Sequence, residues 1–227
     1  MVSAVSVELV AVRHGMTFWN LERRYQGQRD IELAFPEAEA ALERLRLALG
    51  DERFALIYSS DLTRCRQTLE WSGAVENSGV TPVFEPRLRE IDFGDYEGKT
   101  YDELKDRPDY RAWIDSVGEQ RIPGGENGAD LRARLDAWLG DVAYAAHQAA
   151  SGTGAPDGRP LKVLAVAHGG VIRELRRRFE NVAFWDSTVR QAEGRRWQLT
   201  YDPNTQGGDP WQCSCSSAVP APASATP

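Results

Sequence analysis

The chain has 227 residues, 27 of them Lys or Arg and 34 Asp or Glu, for a formal charge of −7 and a pI of about 5.1. That acidic balance argues against a duplex-binding protein, which carries a basic footprint, and against adhesion to an anionic membrane surface. With 41% hydrophobic residues, a single α/β domain of this length buries roughly 70% of its unfolded surface, enough for a sizeable core.

All but three of the 27 basic residues are arginine, the exceptions being Lys99, Lys105 and Lys162, so planar forks for oxyanions are plentiful. Cys65, Cys213 and Cys215 form neither a disulfide framework nor a four-ligand zinc set, and fit a reducing compartment. The opening M-V-S-A-V-S-V-E-L-V-A-V lacks a basic leader and is far short of the roughly 20 apolar residues of a spanning helix, which points to a cytoplasmic protein.

Residues 5–12 are apolar enough for a strand buried on both faces, ending at Arg13-His14-Gly15. Ala38, Ala41, Leu42, Leu45 and Leu49 recur at helical spacing behind Pro36 and predict a helix over about 36–49. Residues 54–59 read as a second strand; Ser60 and Asp61 then serve as N-cap types for a helix to about residue 70. A third strand is expected over 81–85, a turn over 94–98, and short helices over 101–107 and 110–117. After the break at Pro123-Gly124-Gly125, Leu131, Leu135, Trp138, Leu139 and Val142 trace one face of a long helix reaching about residue 150. A Gly/Pro-rich loop over 151–160 leads to a buried strand over 161–167, which also stops at a histidine, His168, before a helix to about residue 179. Residues 197–201 alternate like an edge strand, with 182–190 as a candidate partner. These elements predict one domain of alternating strands and helices over 1–202, then a low-complexity tail over 203–227.

His14 and His168 thus follow the two most apolar strands, each ahead of a glycine. Ligands of open α/β sheets bind outside the carboxyl ends of the strands, so both imidazoles are expected to face one crevice. Arg13 precedes the first, and Arg64 lies near the start of a helix, where backbone amides already favour an anion. A guanidinium held there needs an oxyanion or a carboxylate, and a salt bridge meets that demand as well as a substrate does. Glu90, after the third strand, is either that bridge partner or a proton donor.

The strings V-R-H-G-M-T-F-W-N, R-Y-Q-G-Q-R-D-I-E-L, S-S-D-L-T-R-C-R-Q-T, L-R-E-I-D-F-G-D-Y-E-G-K and V-A-H-G-G-V-I-R, in this order over about residues 7–175, resemble the histidine phosphatase superfamily in its phosphoglycerate mutase-like branch. The resemblance implies a three-layer α/β fold, its mostly parallel central sheet flanked by helices. It also implies a phosphate pocket of Arg13, His14, Arg64 and His168, with His14 as nucleophile and Glu90 as proton donor. Asn20 and Gln26 match positions that help bind phosphate or substrate, and Gly27 would let the backbone approach closely. In such a pocket the guanidinium forks offset the charge of a phosphomonoester and hold His14 neutral. A phosphohistidine follows, while His168 is expected to donate a hydrogen bond to a phosphoryl oxygen.

Several positions depart from the family pattern. Met16 stands where Glu, Gln or Asn is usual, and I-P-G-G-E-N resembles the family's P-P-G-G-E-S loop, where Glu126 either nears the substrate or only completes a turn. E-I-D-F-G replaces the E-R-H-Y-G of phosphoglycerate mutases, and their substrate-binding arginine pair is missing. Hydrolysis of a small phosphorylated metabolite is therefore expected, with a cofactor-dependent phosphoglycerate mutase or a catalytically silent phospho-ligand-binding member as alternatives. No cofactor, metal, nucleic acid or membrane enters this expectation; a homodimer is left open. Cys65 reads as a helix packing residue, His147 as a surface residue, and Trp19, beside Asn20, as a residue of the pocket rim.

Overall fold

A computed structural model describes residues 3–151 and 159–221. Its elements are β1 (Val5–Arg13), α1 (Phe18–Leu21), α2 (Glu39–Leu49), β2 (Leu56–Ser59), α3 (Thr63–Ser72), α4 (Ala74–Ser78) and β3 (Val83–Phe84). There follow α5 (Tyr101–Leu104), α6 (Pro108–Asp115), α7 (Gly128–Ser151), β4 (Leu161–Ala167), α8 (Gly169–Glu180), β5 (Gly194–Tyr201) and β6 (Trp211–Val219). The strands form one six-stranded sheet in the order β3-β2-β4-β1-β5-β6. The first four in that order pair in parallel, while β5 and β6 run antiparallel, so the sheet is mostly parallel, as expected.

Side chains that alternate along the strands feed two separate cores. Val7, Leu9 and Ala11 of β1, with Val163 and Ala165 of β4, pack against Leu131, Leu135 and Trp138 of α7 and Val171 and Leu175 of α8. Val10, Val12, Leu164 and Val166 point the other way, onto Leu42 and Leu45 of α2 and Cys65 and Leu69 of α3. Burial on both faces is what the unbroken apolar runs required, and it makes the molecule three layers deep. Among the described residues no helix is long and apolar enough to cross a membrane.

Several boundaries shift for local reasons. Helix α2 starts at Glu39 because residues 35–38 form a turn that carries Pro36 outside it. Ser60 and Asp61 do not cap α3: Ser60 bonds to His168, Asp61 pairs with Arg89, and the amide of Thr63 is met by Asp30 at 2.8 Å. The third strand shrinks to two exposed residues at the sheet edge. Within 182–190 there is only a 3-10 turn, Phe184–Asp186, so this segment does not pair with β5. Most of the loop expected over 151–160 lies outside the described residues.

The tail expected over 203–227 is corrected by β6, which turns β5 from an edge strand into an interior one. Small and polar residues, W-Q-C-S-C-S-S-A-V, mask the strand in the sequence; its apolar anchors stand only at its ends, where Trp211 and Val219 are buried. Trp211 packs on its cross-strand partner Tyr201 with ring centroids 5.0 Å apart. Replacing Trp211 with Ala is expected to lower unfolding free energy by about 3 kcal/mol in a urea titration, as for other buried aromatic truncations. A change within about 0.5 kcal/mol, typical of a surface site, would show that the segment contributes nothing to the sheet.

Candidate active site

Strands β1 and β4 are parallel neighbours in a register that sets Arg13 opposite Ala167, so the residue after each strand emerges at the same point. His14 and His168 therefore meet there, with ring centroids 5.2 Å apart. A cleft of about 270 Å³ opens beside them, lined among others by Arg13, His14, Asn20, Gln26, Gly27, Arg64 and Glu90. His168 is not part of the lining: it is wholly buried behind Arg64.

His14 Nδ1 lies 2.7 Å from the Gly15 carbonyl, which can only accept, so Nδ1 carries the proton and Nε2 keeps its lone pair. Burial, and then the charges of Arg64 and Arg13, hold this imidazole well below the usual histidine range and neutral. His168 is depressed in the same way, first by burial and then by Arg64. Its Nδ1 accepts from Arg64 Nη2 at 3.1 Å and its Nε2 donates to Ser60 Oγ at 2.8 Å. The expected hydrogen bond from His168 to a phosphoryl oxygen is thus not the one its environment displays; the ring anchors Arg64 instead. Cys65 Sγ, 3.4 Å from His168 Nε2, is a buried thiol pushed up to about 12 by burial, which suits packing and not nucleophilic chemistry.

Arg64 is fully buried, and its Nη groups donate to the carbonyls of Gly27 (2.7 Å) and Arg29 (2.8 Å). Arg13 donates to the Val189 carbonyl at 2.9 Å. Among the described residues neither forms an ion pair, so the salt-bridge explanation for these two arginines is not the one realised. What remains is a set of buried donors without acceptors: Arg13 Nε, Arg64 Nε and Gln26 Nε2. All three belong to residues of the cleft, and an oxyanion is the ligand whose chemistry answers them. Gln26 is held for that purpose, its Oε1 accepting from Thr17 Oγ1 at 3.0 Å and Asn20 Nδ2 at 3.4 Å.

Glu90 caps α8: its carboxylate accepts from the Gly170 amide at 3.0 Å and from the Ile91 amide at 3.0 Å. An anion belongs at a helix N-terminus, and Gly170 permits the approach, since a Cβ there would overlap Glu90 Oε1. Gly27, with φ of +52°, serves differently from expectation. Its missing side chain admits the Glu97 carboxylate, which accepts from the amides of Gln28 (2.7 Å) and Arg29 (3.1 Å) and so fixes the loop whose carbonyls hold Arg64.

Other expectations change. Glu126 is turned away, accepting from the Asp92 amide and paired with Arg134. Trp19 covers Gly98 without lining the cleft, His147 is half-buried against Tyr201, and Met16 packs into the core beside α2. Sequence reasoning missed Arg134, which donates to the carbonyls of Arg87, Arg89 and Glu90 and so holds the segment that delivers Glu90. It also missed Arg173 and the aromatic lining of Phe93, Trp113, Phe184 and Trp185, residues scattered along the chain that only the fold collects.

Both depressed histidines link stability to pH. Between their folded-state values and the unfolded value near 6.5, the unfolded chain binds protons that the folded one does not, so stability falls as pH drops below about 6.5. Each histidine contributes a slope of about 1.4 kcal/mol per pH unit in that window. Urea titrations from pH 7 to 5.5 are expected to show the decline, and His14→Gln to remove one proton from it; an unaltered slope in the variant would mean that His14 is already protonated in the folded chain.

The sequence profile of the histidine phosphatase superfamily (branch 1) matches residues 9–206. Phosphoglycerate mutase-like protein 4 of Arabidopsis thaliana is 35% identical over 174 residues, 74% of this chain and 69% of that protein. The Enterobacter protein named "Probable phosphoglycerate mutase GpmB" is 36% identical over 140 residues, and the match spans 62% of its length and 60% of this chain. Among solved structures, "Mycobacterial hydrolase 2" superposes with a TM-score of 0.71 at 28% identity, covering 93% of this chain and 90% of that one. The chain belongs to the histidine phosphatase superfamily, in its phosphoglycerate mutase-like branch.

Proposed function

We propose that the protein is a phosphomonoesterase that works through a phosphohistidine on His14. The observation that carries this reading is the convergence of three acceptor-less buried donors, on Arg13, Arg64 and Gln26, with a neutral imidazole in one cleft. The donors bind the phosphoryl oxygens and offset the charge that would repel a nucleophile. The His14 Nε2 lone pair attacks phosphorus, the ester P–O bond breaks, and the departing oxygen takes a proton from Glu90. Glu90 then accepts a proton from water, whose oxygen attacks the phosphohistidine; the N–P bond breaks, and inorganic phosphate leaves with His14 restored to its neutral form. His168 acts as a positioning residue, since its contact is with Arg64 and not with the cleft.

Transfer to a second substrate hydroxyl is the rival, favoured by the mutase names of the plant and Enterobacter relatives. E-I-D-F-G in place of the mutase string and the hydrolase name of the mycobacterial neighbour favour water. Rapid conversion of 3-phosphoglycerate to 2-phosphoglycerate would decide for the mutase.

Incubation with an aryl phosphate is expected to give an acid-labile phosphoenzyme that is absent in His14→Ala, with turnover reduced at least about a thousandfold. Glu90→Gln lowers turnover by roughly 10²- to 10⁴-fold on esters with poor leaving groups, the range for a lost general acid. Because arginine supplies the positive charge, activity persists in excess chelator. A folded wild-type protein that neither labels nor releases phosphate from a broad ester panel would end the enzyme reading.

A further inference from the structure

Beyond the phosphoryl end the cleft changes character. Tyr25, Phe93 and Trp113 lie together on its lining, with centroids 4.9 Å apart for Tyr25 and Phe93 and 5.8 Å for Phe93 and Trp113. Phe184 and Trp185, 5.1 Å apart, extend that surface, and Trp185 meets Trp113 edge-on at 6.4 Å. Trp185 keeps 43% exposure, which places an indole at the mouth where a ligand can cover it. The Arg173 guanidinium lies 5.3 Å from the Phe184 ring and 5.6 Å from Trp185, and donates to the Phe184 carbonyl and Thr188 Oγ1, so it fixes this part of the wall.

One polar feature sets what the chamber admits. Trp113 is only 4% exposed, and its Nε1–H has no acceptor although an indole donor so deeply buried ordinarily has one. Glu174 contributes a buried carboxyl to the same lining, but Arg132 and Arg177 engage it, just as Glu22 and Glu103 engage Arg24. A ring on the leaving group meets aromatic faces and an idle donor.

We infer that this chamber selects phosphomonoesters whose leaving group carries an aromatic ring bearing a hydrogen-bond acceptor, the ring covering Trp185 and Phe184 and the acceptor reaching Trp113 Nε1. The inference rests on the phosphomonoesterase reading of the same cleft and adds the substrate class.

Non-hydrolysable phosphonates separate binding from leaving-group reactivity. In calorimetric titrations of the full chain, benzylphosphonate is expected to bind at least about tenfold tighter than methylphosphonate, the gain from burying one ring. A 4-methoxybenzylphosphonate should exceed its 4-methyl counterpart by about fivefold, the worth of one hydrogen bond. Trp185→Ala, at a partly exposed site, brings the benzyl and methyl ligands towards equal affinity while leaving methylphosphonate unchanged. Trp113→Phe keeps a ring and removes the methoxy preference. Equal binding of benzyl- and methylphosphonate by the wild type, or equal weakening of both by Trp185→Ala, overturns the inference alone. Failure of both phosphonates and inorganic phosphate to bind overturns it together with the phosphomonoesterase reading.

Discussion

The rest of the cleft depends on a guanidinium that has neither water nor a carboxylate to face. Arg64 is fully buried, and stripping an ion of its hydration costs several kcal/mol unless other dipoles replace it. Here the replacements are two carbonyls, Gly27 and Arg29, and the lone pair of His168, a set that supplies partial negative charge without cancelling the ion. The field of Arg64 therefore survives into the cleft. It depresses both histidines, and a protonated His168 would set a cation and a donor against the guanidinium it now supports, so burial, tautomer and charge agree with one another.

That arrangement reaches outward through the backbone. The carbonyls that hold Arg64 lie on the segment carrying Gln26 and Gly27, and the amides of the same segment are held by Glu97, a carboxyl that burial pushes upward. Glu97 faces amides and Glu126 faces Arg134, while Glu90 sits on the α8 N-terminus. Among the described residues Glu90, Glu97 and Asp30, the carboxylates whose charge reaches Arg64, bond to backbone amides and form no ion pair with the two arginines of the pocket. A net charge of −7 and a cationic crevice coexist because the sign of a site is set by which charges are engaged, and not by their sum.

The legible part of this design lay in local signals. Unbroken apolar runs marked β1 and β4, and the parallel register between them explains why the residues after each strand meet. The fold class drew besides on the alternation of strands with helices and on the resemblance to the superfamily. Strand β6 was hidden because a strand that pairs at an edge can be built from Ser, Cys and Gln when only its end residues are buried. Which atom His168 addresses was hidden for another reason: the motif fixes its position, but Ser60 and Arg64, brought in by β2 and α3, fix its tautomer and its partner. Arg134 has no local signal, since the carbonyls it holds lie more than forty positions away in the chain, and the aromatic lining is gathered from four separate places, at Tyr25, Phe93, Trp113 and Phe184-Trp185.

The two ends of the cleft consequently rest on different foundations. Arg13 ends a strand and His14 and His168 follow strands locked between two cores, and Arg64 lies in the first turn of a helix packed into one of them, so the phosphoryl end inherits the rigidity of the sheet. Trp113 of α6 belongs to the core beside α7, whereas Phe184 and Trp185 come from a 3-10 turn that hangs on ring contacts and one arginine. Substitutions there change the shape offered to a leaving group with little effect on the donors that meet the phosphoryl oxygens. Chemistry and selectivity are separable in such a cleft because their geometry is borrowed from separate parts of the fold.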